Sequence, residues 1–268
     1  MSRIGDLRQH GLTAIELGAG VRVGEDLELL LSEGGTQFFI HNYFPPPATS
    51  FVLNLASADE TVRDRSGDLV RAALDLSARL GAPFYSVHGG FITDPVGFDG
   101  TGFVFPAPGS KDEAAYAMER FIGTLRGLLK SAATCGVKIM VENNVCVQAA
   151  VGRLLLQSAD GFAELFMALP DPNLGMLLDT GHLNVSARTL GFDRGRFVDQ
   201  VQPYVRAFHV HDNDGTADTH DVVAPSSWVL DVLRRPAFHG LPMVIESKFS
   251  DASGLSRHVE WLERELRH

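Results

Sequence analysis

Short apolar runs alternate with longer amphipathic segments along the whole chain. The runs are TAIELG (13–18), TQFFIH (36–41), APFYSVH (82–88), VKIMVEN (137–143), NLGMLLDT (173–180), VRAFHVHD (205–212) and LPMVIES (241–247). Each is short and nearly continuous in apolarity, the pattern of a strand covered on both faces, as parallel sheets require. Between them lie helical periods. Segment 60–80 places Val62, Leu69, Ala73, Leu76 and Leu80 roughly on one helical face, and Gly81 follows as a stop. Segment 111–134 does the same with Tyr116, Phe121, Leu125, Leu128 and Leu129, and shorter helices fit 160–168, 194–202, 226–235 and 254–266. The opening IGDLRQHG reads as the tail of a helix. Strand–helix alternation from end to end predicts an α/β fold, either an open doubly wound sheet or a (β/α) barrel. Seven strands are visible rather than eight, with no internal boundary or repeat, so residues 1–268 are expected to form one domain.

Composition narrows the class. The 268 residues suit a barrel of about 250 residues, and 45% apolar with 21% charged content excludes a disordered or fibrous chain. No apolar run approaches the ~18–20 residues of a membrane span, and the start lacks an apolar core after its charges, so a cytoplasmic protein without membrane contact is expected. Two cysteines, Cys135 and Cys146, are too few for a disulfide framework and lack metal-ligand spacing. The net charge of −10 disfavours a broad polyanion-binding surface. Two segments, 41–57 and 89–110, are long and rich in Gly, Pro and aromatics; each follows a strand end and would overhang it.

The chemistry lies in what ends the runs. His41, His88, Glu142, Asp179, His209 and Glu246 each close an apolar run, His182 follows in LDTGH, and Asp218 and His220 form DTH. In a parallel barrel all strand C-termini emerge at one mouth, where barrel active sites lie. In extended backbone, residues two apart share a side, so Asp218 and His220 would grip one ion together. One such residue alone is commonly a loop hydrogen-bonder or cap. Nine crowded into one mouth are costly unless paired or coordinating a cation. A divalent-metal site is therefore expected. Nitrogen and oxygen donors without cysteine suit Zn, Mn, Co or Fe.

Other residues carry smaller expectations. His211 and Asp212 would join or support the ligands, Asn143 would support them, and Lys248 would reach substrate or cap its strand end. Glu16 could line the mouth. Phe91, Phe98, Phe103 and Phe105 would form an apolar lid or pack on one another; Arg22, Arg153 and Arg188 would contact phosphate or be ordinary surface residues. Gly89–Gly90 reads as a close-approach turn. A Walker-type loop, GxGxxG after a strand, GxSxG elbow and CxxC pair are all lacking.

The ordered set NLAS (54–57), LGAPFYSVHGG (80–90), VENN (141–144), LLDTGH (177–182), FHVHDNDG (208–215), DTH (218–220) and VIES (244–247) resembles the xylose isomerase-like TIM-barrel superfamily. The likeness is to its AP endonuclease family 2 branch, which includes endonuclease IV and many sugar isomerases and epimerases. It covers almost the whole chain and implies a TIM-type barrel, with the family's first strand unmatched. The endonuclease IV pattern implies one metal group of His41, His88 and Glu142. Glu142 would bridge to a second group with Asp179, His209 and Glu246, while His182, Asp218 and His220 would hold a third ion. The isomerase pattern implies only Glu142, Asp179, His209 and Glu246 around one ion. Zn or Mn, one to three ions, is thus the expected cofactor.

Two departures stand out: Pro45, Pro46 and Pro47 lengthen the segment before NLAS, and the aromatic stretch 91–108 follows the second His. These correspond to loops that grip DNA in endonuclease IV, so the metal chemistry can be kept while the substrate changes. The leading expectation is a sugar isomerase or epimerase acting through a metal-stabilised enediolate, with Glu142 and Glu246 as acid/base pair and His182 orienting substrate. A multinuclear phosphodiester or phosphate hydrolase is the alternative, and a non-catalytic metal-binding scaffold a third. A small carbohydrate-like partner is expected ahead of nucleic acid, and a homo-oligomer is compatible with the sequence.

Overall fold

The computed structural model describes residues 3–18, 34–100, 102–107, 110 and 112–267. Among them seven parallel strands form one sheet: β1 (Ala14–Leu17), β2 (Gln37–His41), β3 (Phe84–His88), β4 (Lys138–Glu142), β5 (Leu174–Asp179), β6 (Val205–Val210) and β7 (Met243–Ile245). Their spatial order is their chain order. A doubly wound sheet reverses strand order partway, so of the two expected architectures the chain forms the barrel, here nearly closed. No ladder joins β7 to β1 among the described residues. Helix α1 (Arg3–Gln9), not a strand, precedes β1, which bears out the count of seven. The two ends of the chain meet where Ser256 donates a hydrogen bond to the His10 carbonyl at 2.8 Å.

The helices follow from their caps and apolar stripes. α2 (Glu60–Leu80) starts at Asp59, whose carboxylate accepts the Thr61 N–H at 2.8 Å. It stops at Gly81, where φ of 66° lets the N–H turn back to the Ser77 and Ala78 carbonyls. α3 (Glu113–Cys135) and α4 (Ala159–Ala168) cover the next two crossovers, and α6 (Arg194–Val201), α7 (Trp228–Leu233) and α8 (Ala252–Glu265) complete the outer layer. The helix α5 (Thr180–Leu190) is one that the periodicity did not predict. Residues 180–187 are all buried, so it lacks the polar face that produces a 3.6-residue signal.

Strand alternation builds two layers. Ile40, Tyr85, Val87, Ile139, Val141, Met176, Leu178, Phe208 and Val210 face outward into the core shared with the helices. Phe39, Phe84, Met140, Leu177 and Ala207 face inward and pack as a separate apolar floor. Side chains two residues apart on a strand share a face. His41, Glu142, Asp179 and His209 therefore stand directly above Phe39, Met140, Leu177 and Ala207, and His88 stands two steps above Phe84. The register aligns them laterally: His41 pairs with Ser86, His88 with Glu142, and Asp179 with His209.

The two long loops that follow β2 and β3 are tied together. In the second, Gly97–Phe98 pairs antiparallel with Phe103–Val104. Phe91, Phe98, Phe103 and Phe105 pack on one another, with the Phe91–Phe103 centroids 5.2 Å apart. The buried Asn54 of NLAS joins the loops: it accepts from the Phe91 N–H at 3.0 Å and donates to Asp94 at 2.7 Å. Arg22 lies outside the described residues.

Candidate metal centre

The inward residues above the floor converge. Glu142 is the pivot: its Oε2 lies 3.7 Å from His41 Nε2 and 3.8 Å from His88 Nε2. Its Oε1 lies 3.1 Å from His182 Nδ1 and 3.5 Å from His209 Nδ1. The same His209 nitrogen faces Asp179 at 3.8 Å and Glu246 at 3.3 Å. Asp218 Oδ2 lies between His182 Nε2 (3.4 Å) and His220 Nε2 (3.2 Å). All nine residues singled out by the sequence are thus brought to one mouth; His41, His88 and Glu142 cluster as one candidate ligand group and Glu142, Asp179 and His209 as another, while His182 clusters with Asp179 and His211, and His220 with His211 and Glu246.

One premise fails. Asp218 and His220 do not lie in extended backbone; His220 has φ of 56°, in the left-handed region that few non-glycine residues adopt. That turn brings its ring back toward Asp218. It is held by the Lys248 N–H, which donates to the His220 carbonyl at 2.9 Å, while the Lys248 side chain is exposed.

Three imidazoles are oriented in the same way. His41 Nδ1 is bonded to Ser86 Oγ at 2.9 Å, His182 Nδ1 to the Asn143 carbonyl at 2.9 Å, and His220 Nδ1 to the Glu246 carbonyl at 3.1 Å. Each leaves Nε2 turned to a carboxylate in the mouth, as metal-binding histidines are fixed by their far nitrogen. Asn143 also grips both backbone groups of Asp179, at 2.8 and 3.0 Å. His211 also offers a ligand nitrogen, beside Asp179 and His182 and beside His220 and Glu246. Its Nε2 bonds Asp179 Oδ2 at 3.1 Å, and its ring stacks on His220 at 4.1 Å. Asp212 turns away, accepting from Ser227 and the Trp228 indole.

Glu16 enters the mouth with no motif to mark it. Its carboxylate lies 3.0 Å from His209 Nε2, and alternation in AIEL was the available signal. Ile15 and Leu17 face the outer core, so Glu16 must face the lumen. Gly89 and Gly90 make a packing turn: a Cβ on Gly89 would meet Leu156 at 2.9 Å.

The mouth concentrates negative charge. Five carboxylates (Glu16, Glu142, Asp179, Asp218 and Glu246) crowd into one largely buried space. Burial raises the Glu142 carboxyl, but His88 and His209 more than offset it and hold it well below the usual range. Burial works against a proton on His209, yet Glu16, Glu142 and Glu246 hold its pKa well above normal. Asp179 and Asp218 do the same for His182. Burial pushes His41 down to about 4 and Glu246 up to about 7. Positive charge is thus held on imidazoles between carboxylates.

Orphaned atoms give the sharper test of fit. Both Glu142 oxygens, both His209 nitrogens, His211 Nδ1, Asp218 Oδ1 and Glu16 Oε1 are buried without an aligned hydrogen bond. Such groups are rare and costly. Donor atoms around a tetrahedral ion bound at 2.0–2.2 Å lie about 3.3–3.6 Å apart. The spacings around Glu142 and His209 straddle that range, so the residues fit divalent ions.

A parallel barrel with a histidine- and carboxylate-lined mouth at the strand C-termini has the arrangement of TIM-barrel enzymes. The chain belongs to the xylose isomerase-like TIM barrel family, whose sequence profile matches residues 4–265. A relative, the probable endonuclease 4 of Thermoplasma acidophilum, is 24% identical over 215 residues, covering 76% of this chain and 66% of that protein. A D-tagatose 3-epimerase-like protein superposes with a TM-score of 0.74 at 20% identity, over 97% of this chain and 92% of its own. The TTHB071 protein from Thermus thermophilus, soaked with zinc chloride, gives a TM-score of 0.68 at 21% identity over 98% and 91%. No described helix is long and apolar enough to cross a membrane.

Proposed function

We propose that the chain is a divalent-metal-dependent isomerase or epimerase of small sugar-type hydroxy-carbonyl substrates. The observation that carries this reading is the placement of Glu142 and Glu246. They come from separate strands to the same His209 nitrogen, at 3.5 and 3.3 Å, with Asp179 completing a four-residue set. Glu142, Asp179, His209 and Glu246 would hold a divalent ion, whose charge would stabilise the oxygens of the substrate when its carbon-bound proton leaves. Glu142 and Glu246 exchange that proton on the two sides of the substrate carbon. His182, fixed by Asn143, orients the substrate oxygens.

One observation favours the hydrolase reading: the two Glu142 oxygens face different imidazole pairs, the disposition of a carboxylate shared by two ions. Several ions would polarise a phosphoester and its leaving group. Elemental analysis of protein purified without chelator, run beside epimerisation and phosphoesterase assays, separates the readings. One ion per chain and loss of the substrate C–H deuteron to solvent support the isomerase. Three ions with phosphoester cleavage and no C–H exchange overturn it.

A further inference from the structure

His209 is turned the opposite way round from three of its neighbours. His41, His182 and His220 are each fixed through Nδ1, by Ser86 Oγ, the Asn143 carbonyl and the Glu246 carbonyl, and present Nε2 to the mouth. His209 instead presents Nδ1 to Glu246, Glu142 and Asp179, at 3.3, 3.5 and 3.8 Å. Its Nε2 lies 3.0 Å from Glu16 Oε2.

The two sides of this ring differ in spacing. Donors sharing one tetrahedral ion lie about 3.3–3.6 Å apart, which the distances on the Nδ1 side straddle. The contact on the Nε2 side is shorter and has the length of a hydrogen bond. Glu16, His41 and His209 do bring one donor atom each within 4.8 Å of one another. The short separation nevertheless suits a proton, rather than an ion, between Glu16 and His209. Strand register agrees with this division. β1 pairs with β2 so that Glu16 lies beside Phe39 of the apolar floor, one inward position below His41. The Glu16 carboxylate thus rises from the floor row.

A neutral imidazole carries one N–H, and the nitrogen that ligates must lack it. With Nδ1 given to an ion, the proton of His209 sits on Nε2. His209 is fully buried, so this N–H is shut off from solvent and costly to leave unpaired. Glu16 is itself buried in the lumen with its side chain 8% exposed, and its Oε1 has no hydrogen-bond partner. Nε2 has no aligned partner either. The approach of Glu16 meets the distance of a hydrogen bond and not its angle, which a small turn of the carboxylate supplies.

We propose that Glu16 is the positioning residue of His209: its carboxylate accepts the Nε2 proton, fixes the tautomer that leaves Nδ1 free, and strengthens that nitrogen as a donor. The inference rests on His209 being a metal ligand, as in the reading above.

The test is zinc titration of the full-length, metal-depleted protein against a chelating indicator, with Glu16→Gln and Glu16→Leu beside the wild type. The ion concerned is the one whose binding is lost in His209→Asn. Glutamine keeps an acceptor oxygen without the charge, and leucine keeps the volume without an acceptor. Affinity for that ion is expected to fall about tenfold in Glu16→Gln and about a hundredfold in Glu16→Leu, with the number of ions unchanged. Histidine ¹H–¹⁵N NMR of the zinc-loaded protein gives an independent reading. The His209 Nε2–H signal, assigned by its loss in His209→Asn, is expected furthest downfield in the wild type, less so in Glu16→Gln and least in Glu16→Leu. Wild-type affinity in Glu16→Leu, which marks mere filling of space, overturns the proposal. So do equal losses in both variants, which mark charge alone, and loss of one whole ion in Glu16→Gln, which makes Glu16 a ligand. Should Glu16→Leu fold poorly, wild-type affinity and an unmoved signal in Glu16→Gln overturn it. A wild-type chain that takes up no zinc refutes the metal centre itself, and this proposal with it.

Discussion

Asp179 Oδ1 accepts the backbone N–H of His182 at 2.6 Å, so the carboxylate that ends β5 also starts α5. One side chain thus caps a helix, receives His211 on its other oxygen, and sets the imidazole that faces Asp218. Capping and ligation can be separated by substitution. Asp179→Asn keeps a capping acceptor but loses the charge; Asp179→Ala loses both. The alanine variant is expected to be about 1–2 kcal/mol less stable than the asparagine variant, while both lose bound metal. Urea unfolding and elemental analysis read the two effects. Equal stability of the two variants would remove the cap from the account.

The acid/base pair makes a separable demand. Glu142→Gln and Glu246→Gln are each expected to lower turnover at least a thousandfold, on the order of 4 kcal/mol in the barrier, with the circular dichroism spectrum of the barrel retained. Unchanged turnover in either variant rules out its proposed role.

Protonation of His41 links the centre to pH. Its pKa in the folded chain is pushed down by burial to about 4, against 6.5 for the free side chain. Between those values the unfolded chain binds more protons than the folded one, so stability rises with pH across that window and falls as pH drops through it. In chelated protein, wild type should lose stability relative to His41→Asn from pH 6.5 toward 4, by at most about 1.4 kcal/mol per unit. A difference between the two that stays flat across this range would contradict the shift.

Gly181, in the LLDTGH motif, is required for packing. A Cβ there would overlap the buried His211 ring. Gly181→Ala is expected to cost about 3 kcal/mol and to weaken the support that His211 gives Asp179. The double variant Gly181→Ala/His211→Ala should recover most of the stability, because the clash is gone. Additive losses in a double-mutant cycle would show that the alanine acts elsewhere.

Asn54 ties the two long loops. Its side chain also receives the Ala56 N–H at 3.0 Å and donates to the Phe91 carbonyl at 3.1 Å. Asn54→Ala leaves several buried partners unmatched and should cost about 3 kcal/mol. Limited proteolysis within 91–107 should accelerate. Cleavage at the wild-type rate would mean that the loop is held by its aromatic packing alone.

The sequence by itself determined the strand–helix alternation, the seven strands and the nine ligand-type side chains. These are carried by local signals: a strand reads as a short apolar run, a helix as a 3.6-residue stripe, and a site residue as the polar break that ends a run. It did not reveal α5, since a helix buried all round has no stripe. Nor did it decide that Glu16 belongs to the mouth, that His211 supports Asp179, or that Asp212 faces Trp228. Those depend on which face of each strand meets the lumen and on a left-handed turn at His220, neither of which a local sequence pattern records.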